Sequence, residues 1–284
     1  SSSHTMGPER AAKIFLQRHP EASRFKVVLY GSLAATGKGH MTDVAIKDVL
    51  EKVAPVYIDW EPHIFLPFHP NGMKFFSVDQ QGITNDSWTV YSIGGGALSE
   101  GKGEDDYFYE KSIYPLTKLK DIKQWCEENG RGYWEYVEKY EDGGLWDYLR
   151  EVWMTMTKSV ARKAPTYYIK ARAYREELKA RSMVFAYALA VSEENAAGGT
   201  IVTAPTCGAC GVVPGVLVNL AETHHFNEER ILHALATAGL IGNLIKENAS
   251  ISGAEVGCQG EVGAACAMAA AAACQIFGGT PSQI

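Results

Sequence analysis

Strand-forming segments are confined to roughly the first hundred residues of this chain, and this separation constrains its fold more than any other feature. In that part, short segments rich in β-branched and aromatic residues alternate with helical patterns. From Lys118 onward, strand signals nearly vanish, and apolar residues recur at helical spacing between Gly-containing breaks. The sequence therefore predicts an α+β protein, with a mixed α/β domain over residues 1–144 and an all-helical domain over residues 145–284.

The predicted elements follow from apolar periodicity and from the positions of glycine and proline. The predicted strands are 25–29, 56–60, 64–68, 73–78 and 87–93. The predicted helices are 9–19, 42–53, 122–129, 133–140, 145–163, 172–194, 212–224, 228–246 and 260–277. Non-helical segments are predicted at 34–39, at 164–165 and between 246 and 263.

Size and composition exclude several classes of protein. A chain of 284 residues with 46% hydrophobic and 21% charged residues can bury a core without disulfides. Its net charge of −6 argues against nucleic-acid binding, for which a basic face is typical. It has no run of about 18 apolar residues and no apolar signal core, so neither a membrane span nor secretion is predicted. The six cysteines are then expected to be reduced thiols or metal ligands in the cytosol.

The last residues have the pattern of a helix that is just beginning. Thr280 followed by Pro281 resembles an N-cap and the first residue of a helix. A natural protein seldom ends one turn into a new helix, so we expect the sequence to be a truncated chain.

Hydroxyl side chains and a histidine open the sequence, in the string SSSHTMGP. One interpretation is a cloning remnant or a helix cap. The other is a cluster of hydroxyl donors beside His4, just before a helix whose N-terminal N–H groups would favour a carboxylate. The residues alone leave both open.

A glycine-flanked segment, GSLAATGKGHMTD, contains a Gly-Lys pair that is typical of phosphate loops. A phosphate loop is excluded, because five residues rather than four separate Gly31 from Gly37, and Gly39 stands where Ser or Thr should bind magnesium. The segment still presents Lys38 and His40, and a histidine of near-neutral pKa suits proton transfer. A structural role for His40 is the competing interpretation.

Three glycines follow a predicted strand in the string YSIGGG. They indicate either a tight turn or a backbone nest for an anionic group.

Cys207 and Cys210 form a Cys-x-x-Cys pair. A redox pair, half of a zinc site and plain core packing are all compatible with it. No second ligand pair follows, which disfavours zinc, and the surroundings are helical rather than the βαβ pattern of a thioredoxin.

The segment 246–263 is dense in carboxylates, amides and hydroxyls around Cys258. Such groups between apolar helices must be satisfied by a ligand, a metal or each other. Cys266 and Cys274 follow at eight-residue intervals, and each interval rotates about 80° around a helix. We therefore expect Cys266 and Cys274 to be buried core residues.

Five strings together resemble the bacterial iron–sulfur L-serine dehydratases, in the order of a β domain followed by an α domain. The resemblance spans essentially the whole chain. It is carried by SSSHTMGP, GSLAATGKGHMTD, YSIGGG, NAAGGTIVTAPTCGACGVVPGVL and KENASISGAEVGCQGEVGAACAMAAA.

The resemblance implies a [4Fe–4S] cluster held by cysteines, with one iron left open as a Lewis acid. The first ligand of the family corresponds to Cys258, and the others would lie beyond residue 284. It implies a lyase that converts L-serine to pyruvate and ammonia, with His4 or His40 as the base that removes the Cα proton. Candidate groups for holding the substrate carboxylate or amine are Ser2, Ser3, Thr5, Lys38 and Asn248. A cytoplasmic homodimer is expected.

Two other functions remain open from the residues. One is an amino-acid-binding module without catalysis, and the other is a thiol redox protein that uses Cys207 and Cys210. Threonine or cysteine are alternative substrates for a site that grips only the amino-acid head.

Overall fold

The computed structural model describes residues 2–108, 112–172 and 176–284, and their side chains except those of 164–172 and 176–180. The predicted α+β class is confirmed. Strands occur only in the N-terminal part of the described chain, and the remainder is helical. Among the described residues, no helix combines the length and the apolar character that crossing a membrane would take.

Close packing divides the chain into two units. The first comprises Ser1–Lys111 and Ser252–Gly257, and the second comprises Ser112–Ile251 and Cys258–Ile284. The second unit begins at Ser112, whereas the sequence-based boundary is residue 144. Residues 119–140 pack with the second unit because they share a hydrophobic core with the later helices.

A five-stranded mixed sheet forms the centre of the first unit. Its strands are β1 Arg24–Tyr30, β2 Val56–Glu61, β3 Gly72–Val78, β4 Thr84–Gly94 and β5 Ala97–Ser99. Their spatial order is β2-β1-β3-β4-β5, with β1 parallel to β2 and the other neighbours antiparallel. Since a parallel pair needs a crossover, the chain between β1 and β2 forms helices.

Three helices accompany this sheet: α1 Gly7–Arg18, α2 Gly31–Thr36 and α3 Thr42–Leu50. Helix α1 begins with Pro8 in its first turn and buries Ala11, Ala12 and Phe15, which share one face at helical spacing. Phe15 stacks in parallel with Trp88 of β4 at a centroid distance of 6.3 Å. This contact anchors α1 on the sheet and fixes the N-terminal residues that precede it.

The described part of the second unit contains the helices α4 Leu119–Asn129, α5 Tyr133–Tyr140, α6 Leu145–Arg172, α7 Glu176–Ala196, α8 Val212–His224, α9 Glu228–Asn248 and, from Cys258 onward, α10 Gly253–Ile276. The core is lined by small residues where α9 and α10 pack. Gly242 of α9 lies so close to Met268 of α10 that a Cβ there would be 2.9 Å from the sulfur. Small side chains let these helices approach closely.

Several predicted elements are wrong in detail. Residues 64–68 form no strand, and Ile64, Phe65 and Phe68 are exposed. The predicted loop 34–39 is instead the end of α2 and a 3₁₀ helix, Gly37–His40. The backbone of α6 stays helical to Arg172, through residues 164–165. Residues 64–68 show the reason most clearly, because local strand propensity forms no strand without a neighbouring strand to pair with.

The predicted polar loop between 246 and 263 is also wrong. Helix α9 continues to Asn248, and α10 starts at Gly253. Non-helical backbone inside α10 occurs at Gly257, whose φ of 68° and ψ of 179° interrupt the helix. The interruption stands immediately before Cys258.

Candidate active site

A single π-helical turn, Ser2–Met6, leads directly into α1 and buries Ser2, Ser3 and His4. Close approach of this turn to the sheet depends on Gly7, because a Cβ there would lie 2.9 Å from the Cβ of Ser92 on β4. The N-terminal motif is therefore a packed part of the first unit.

Both ring nitrogens of His4 are engaged by protein groups. Nδ1 lies 2.9 Å from Ser3 Oγ, and Nε2 lies 3.3 Å from the backbone oxygen of Ser32 and 3.0 Å from Thr36 Oγ1. A carbonyl oxygen only accepts, so the network assigns the proton to Nε2 and makes Nδ1 the acceptor from Ser3. The hydroxyl of Thr42 also donates to the backbone oxygen of His4, which fixes this residue further.

His40 lies beside His4, with ring centroids 4.9 Å apart and an interplanar angle of 50°. It closes the 3₁₀ helix Gly37–His40, after which Met41 adopts a left-handed φ of 56°. Thr5 Oγ1 donates a 2.8 Å hydrogen bond to the backbone oxygen of His40, which ties the two motifs together. The His40 side chain is exposed, and within the described chain no hydrogen bond occupies its ring nitrogens.

The two histidines are electrostatically different. Burial lowers the pKa of His4 to about 4, and repulsion from the neighbouring His40 adds to this. The partial desolvation of the exposed His40 ring lowers the pKa of His40 as well. Both rings are therefore neutral at pH 7, which is the state in which a histidine can accept a proton.

The other predicted residues of the first unit lie around this pair. Lys38 is exposed on the same 3₁₀ helix as His40, with its Nζ 5.5 Å from the centroid of Trp60. Ser2 is buried, and Thr5 is partly exposed. The fold thus brings together six of the eight predicted site residues, namely Ser2, Ser3, His4, Thr5, Lys38 and His40.

The other two predicted residues, Asn248 and Cys258, belong to the second unit. Asn248 is exposed at the end of α9, and its amide nitrogen donates to the backbone oxygens of Thr117 at 2.6 Å and Leu244 at 2.9 Å.

Cys258 carries an exposed thiol at the helix interruption after Gly257. Within the residues that the structure describes, no three His, Cys, Asp or Glu side chains are arranged to hold a metal ion. The prediction that Cys266 and Cys274 are core residues is wrong, because Cys266 is exposed and Cys274 is partly exposed. The buried face of α10 is formed instead by residues such as Ala265, Ala269 and Ala272.

The Cys-x-x-Cys pair lies in a buried environment. Cys207 and Cys210 are 5% and 1% exposed, and burial raises the pKa of Cys210 to about 12. Thiol exchange needs an accessible thiolate, so this environment disfavours the redox interpretation.

The glycines of YSIGGG form the hairpin turn between β4 and β5. Gly95 and Gly96 have φ values of 60° and 81°, which is the geometry of a two-residue hairpin loop and favours glycine at both positions. Gly94, at φ 105°, packs against Ser252, whose Cα would lie 3.3 Å from a Cβ at Gly94. The tight-turn interpretation is therefore confirmed.

His69 and Asn71 are buried polar residues that the sequence reasoning did not single out. The backbone N–H of Asn71 donates to His69 Nδ1 at 3.0 Å, and its side-chain amide donates to the backbone oxygen of Ser92 at 3.2 Å. Asn71 Oδ1 and Ser92 Oγ are buried without a hydrogen-bond partner among the described residues. The string His69-Pro70-Asn71-Gly72, a turn signal that contains a histidine, is the feature that would have indicated them.

This buried group adjoins the histidine pair through the backbone. The N–H of Ser32 donates to the oxygen of Pro70 at 3.0 Å, and the oxygen of Ser32 faces His4 Nε2. Gly31 allows this approach, since a Cβ there would lie 2.6 Å from the oxygen of Pro70.

Comparison with known proteins covers both units. The family model described as serine dehydratase beta chain matches residues 1–64, and the model described as serine dehydratase alpha chain matches residues 109–284. The L-serine dehydratase of Haemophilus influenzae is 35% identical, L-serine dehydratase 1 of Escherichia coli 36%, and the L-serine dehydratase of Helicobacter pylori 30%. Each alignment includes all of this chain and 77% of the relative. The chain therefore belongs to the bacterial L-serine dehydratase family.

Proposed function

We propose that this protein is an L-serine ammonia-lyase, which dehydrates and deaminates L-serine to pyruvate and ammonia. Its relatives are named L-serine dehydratases, and the chain carries both regions of that family. The single observation that supports the chemistry best is the neutral histidine pair at 4.9 Å, one member of which is exposed.

His40 is the proposed general base. A base needs an unprotonated ring nitrogen within reach of the substrate, and in His4 both nitrogens are already engaged by Ser3, Ser32 and Thr36. His40 is exposed, neutral at pH 7 and held by Thr5 through its backbone oxygen. His40 would remove the Cα proton of L-serine, and His4 would position it by packing against its ring.

The amino-acid head requires both a cation for its carboxylate and acceptors for its ammonium group. Lys38, two residues before His40, would supply the cation, and the hydroxyls of Ser2, Ser3 and Thr5 would supply hydrogen bonds. Asn248 would offer its amide oxygen. After loss of the Cα proton and of the hydroxyl, the enamine tautomerises to an imine, and water releases ammonia and pyruvate.

The proposed cofactor is a [4Fe–4S] cluster, and Cys258 fits one ligand position because its thiol is exposed at an interruption of the helix. Among the described residues no three His, Cys, Asp or Glu side chains are arranged to hold a metal ion, so the proposal assigns this one ligand. When bound, a cluster with one open iron supplies a Lewis acid that eases departure of the substrate hydroxyl.

The decisive experiment uses the complete gene product, purified without oxygen. Iron, sulfide and pyruvate formed from L-serine are measured on the same sample, with L-threonine and L-cysteine as competing substrates. The proposal expects iron-dependent pyruvate formation, with serine preferred. Full turnover after complete removal of iron would refute it. Sedimentation of the same sample tests the proposed homodimer, and cell fractionation tests the proposed cytoplasmic location.

A further inference from the structure

The segment Ser252–Gly257 packs with the first unit, although the residues on both sides of it in the chain pack with the second. One attachment is the contact of Ser252 with Gly94 at the hairpin turn. Substitution of Gly94 would be strained because its φ is 105°. The segment ends at the Gly257 interruption, so it is the last anchored stretch before Cys258.

A second attachment involves His69, which is 4% exposed. Because His69 Nδ1 accepts the N–H of Asn71, the proton of the neutral ring must reside on Nε2. Nε2 points to Glu255 and lies 3.6 Å from its Oε1, just beyond hydrogen-bond length. The Glu255 side chain is 38% exposed, which leaves it room to move closer to Nε2.

We propose that His69 is a positioning residue: its Nε2–H binds the Glu255 carboxylate and holds the segment that leads into Cys258. The backbone N–H of Asn71 determines the tautomer of the His69 ring. The ring in turn positions Glu255, which stands three residues before Cys258. The attachment itself is independent of any cofactor. Its consequence for catalysis rests on the proposed role of Cys258 as a cluster ligand.

Two variants of His69 separate the functions of its two nitrogens. In His69→Asn the side-chain oxygen takes the place of Nδ1 and can still accept from Asn71, but the contact with Glu255 is lost. In His69→Gln the amide nitrogen takes the place of Nε2 and can still donate to Glu255. Glu255→Ala removes the acceptor, and Glu255→Gln keeps an acceptor oxygen.

Hydrogen exchange of the amides of residues 252–257, measured without any cluster, tests the attachment. We expect exchange to accelerate about five- to tenfold in His69→Asn and Glu255→Ala, the effect of one lost hydrogen bond, and far less in His69→Gln and Glu255→Gln. The double variant His69→Asn/Glu255→Ala should be no faster than either single variant. As a matched control, His19→Asn removes the 2.9 Å pair of His19 with Asp86 in the same unit and should leave this segment unchanged.

Failure of this inference is distinguishable from failure of the proposed function. Unchanged exchange of the segment in His69→Asn and Glu255→Ala, or additive effects in the double variant, would overturn the attachment. If the attachment holds, the same two variants of the complete enzyme should lose iron faster than wild type. If Cys258→Ser retains full iron and activity, the ligand assignment fails while the attachment stands.

Discussion

The rings of His4 and His40 lie 4.9 Å apart, and both ring nitrogens of His4 are hydrogen-bonded to other protein groups. His4 is 7% exposed and bonded through both nitrogens, whereas His40 is exposed and held by its backbone. Under the proposed function, this asymmetry would divide their roles: His40 would meet the substrate, and His4 would hold the surroundings in place.

Replacing His40 with alanine should lower kcat for L-serine at least about 100-fold, the usual size of general-base catalysis. Because the side chain is exposed, the free energy of unfolding should change by no more than about 0.5 kcal/mol. Pyruvate formation by the cluster-loaded enzyme checks the first expectation and urea denaturation the second. Near-normal turnover would exclude His40 as the base.

His4 should make folding stability depend on pH. Its pKa is about 4 in the folded chain and 6.5 as a free group, so its contribution is fully present above pH 6.5. As the pH falls from 6.5 through 4, His4 is protonated in the unfolded chain before it is protonated in the folded chain. The free energy of unfolding therefore falls by about 3 kcal/mol.

Urea denaturation of wild type and His4→Gln at pH 7, 5.5 and 4.5 isolates this contribution, because other titrating groups are common to both. The advantage of wild type over His4→Gln should shrink as the pH falls. A constant difference across this range would show that His4 does not titrate as its burial indicates.

Adding a methyl group at Gly7 should destabilise the first unit. A Cβ there would lie 2.9 Å from the Cβ of Ser92, which is closer than real side chains pack, and overpacking of this kind costs about 1–3 kcal/mol. In the double variant Gly7→Ala/Ser92→Gly the clash is removed, so its loss of stability should be smaller than the sum of the single losses. Additive losses in urea denaturation would show that this contact does not set the place of the N-terminal turn.

Alkylation should distinguish the cysteines. In the folded chain without a cluster, iodoacetamide should modify exposed Cys258 and Cys266 more than about tenfold faster than buried Cys126 and Cys210. Burial raises the pKa of Cys126 to about 11 and that of Cys210 to about 12, so their thiolates are scarce at pH 8. Peptide mass spectrometry measures the extent of modification at each cysteine. Rapid modification of Cys210 would support the thiol redox interpretation instead.

Apolar periodicity predicted most strands and helices, but it does not show whether an apolar segment has a neighbouring strand to pair with. Residues 64–68 contain strand-forming Ile64, Phe65 and Phe68, and all three are exposed in an irregular segment. Leu66 packs instead against Gly72, where a Cβ would lie 2.7 Å from its Cδ1. Strand formation depends on a neighbour in the sheet, which local sequence does not contain.

Motif reasoning found His4 and His40 because each sits among unusual neighbours in the sequence. It missed His69, whose turn-like surroundings are common and whose meaning comes from burial beside Asn71 and from the approach of Glu255, 186 positions later. It also wrongly predicted that Cys266 is buried. Small residues lie on all sides of α10, so its sequence contains no apolar stripe that shows which side is buried.

The sequence by itself determined the α+β class and the N-terminal and glycine-rich motifs, because each depends on residues close together in the chain, and the family resemblance pointed to Cys258. Only the tertiary structure decided which histidine is engaged and which is exposed. That distinction comes from Ser32, Thr36 and Thr42, which contact His4 across about 30 to 40 positions of sequence. Proton affinity depends on burial and on such distant partners, so a linear pattern cannot assign it.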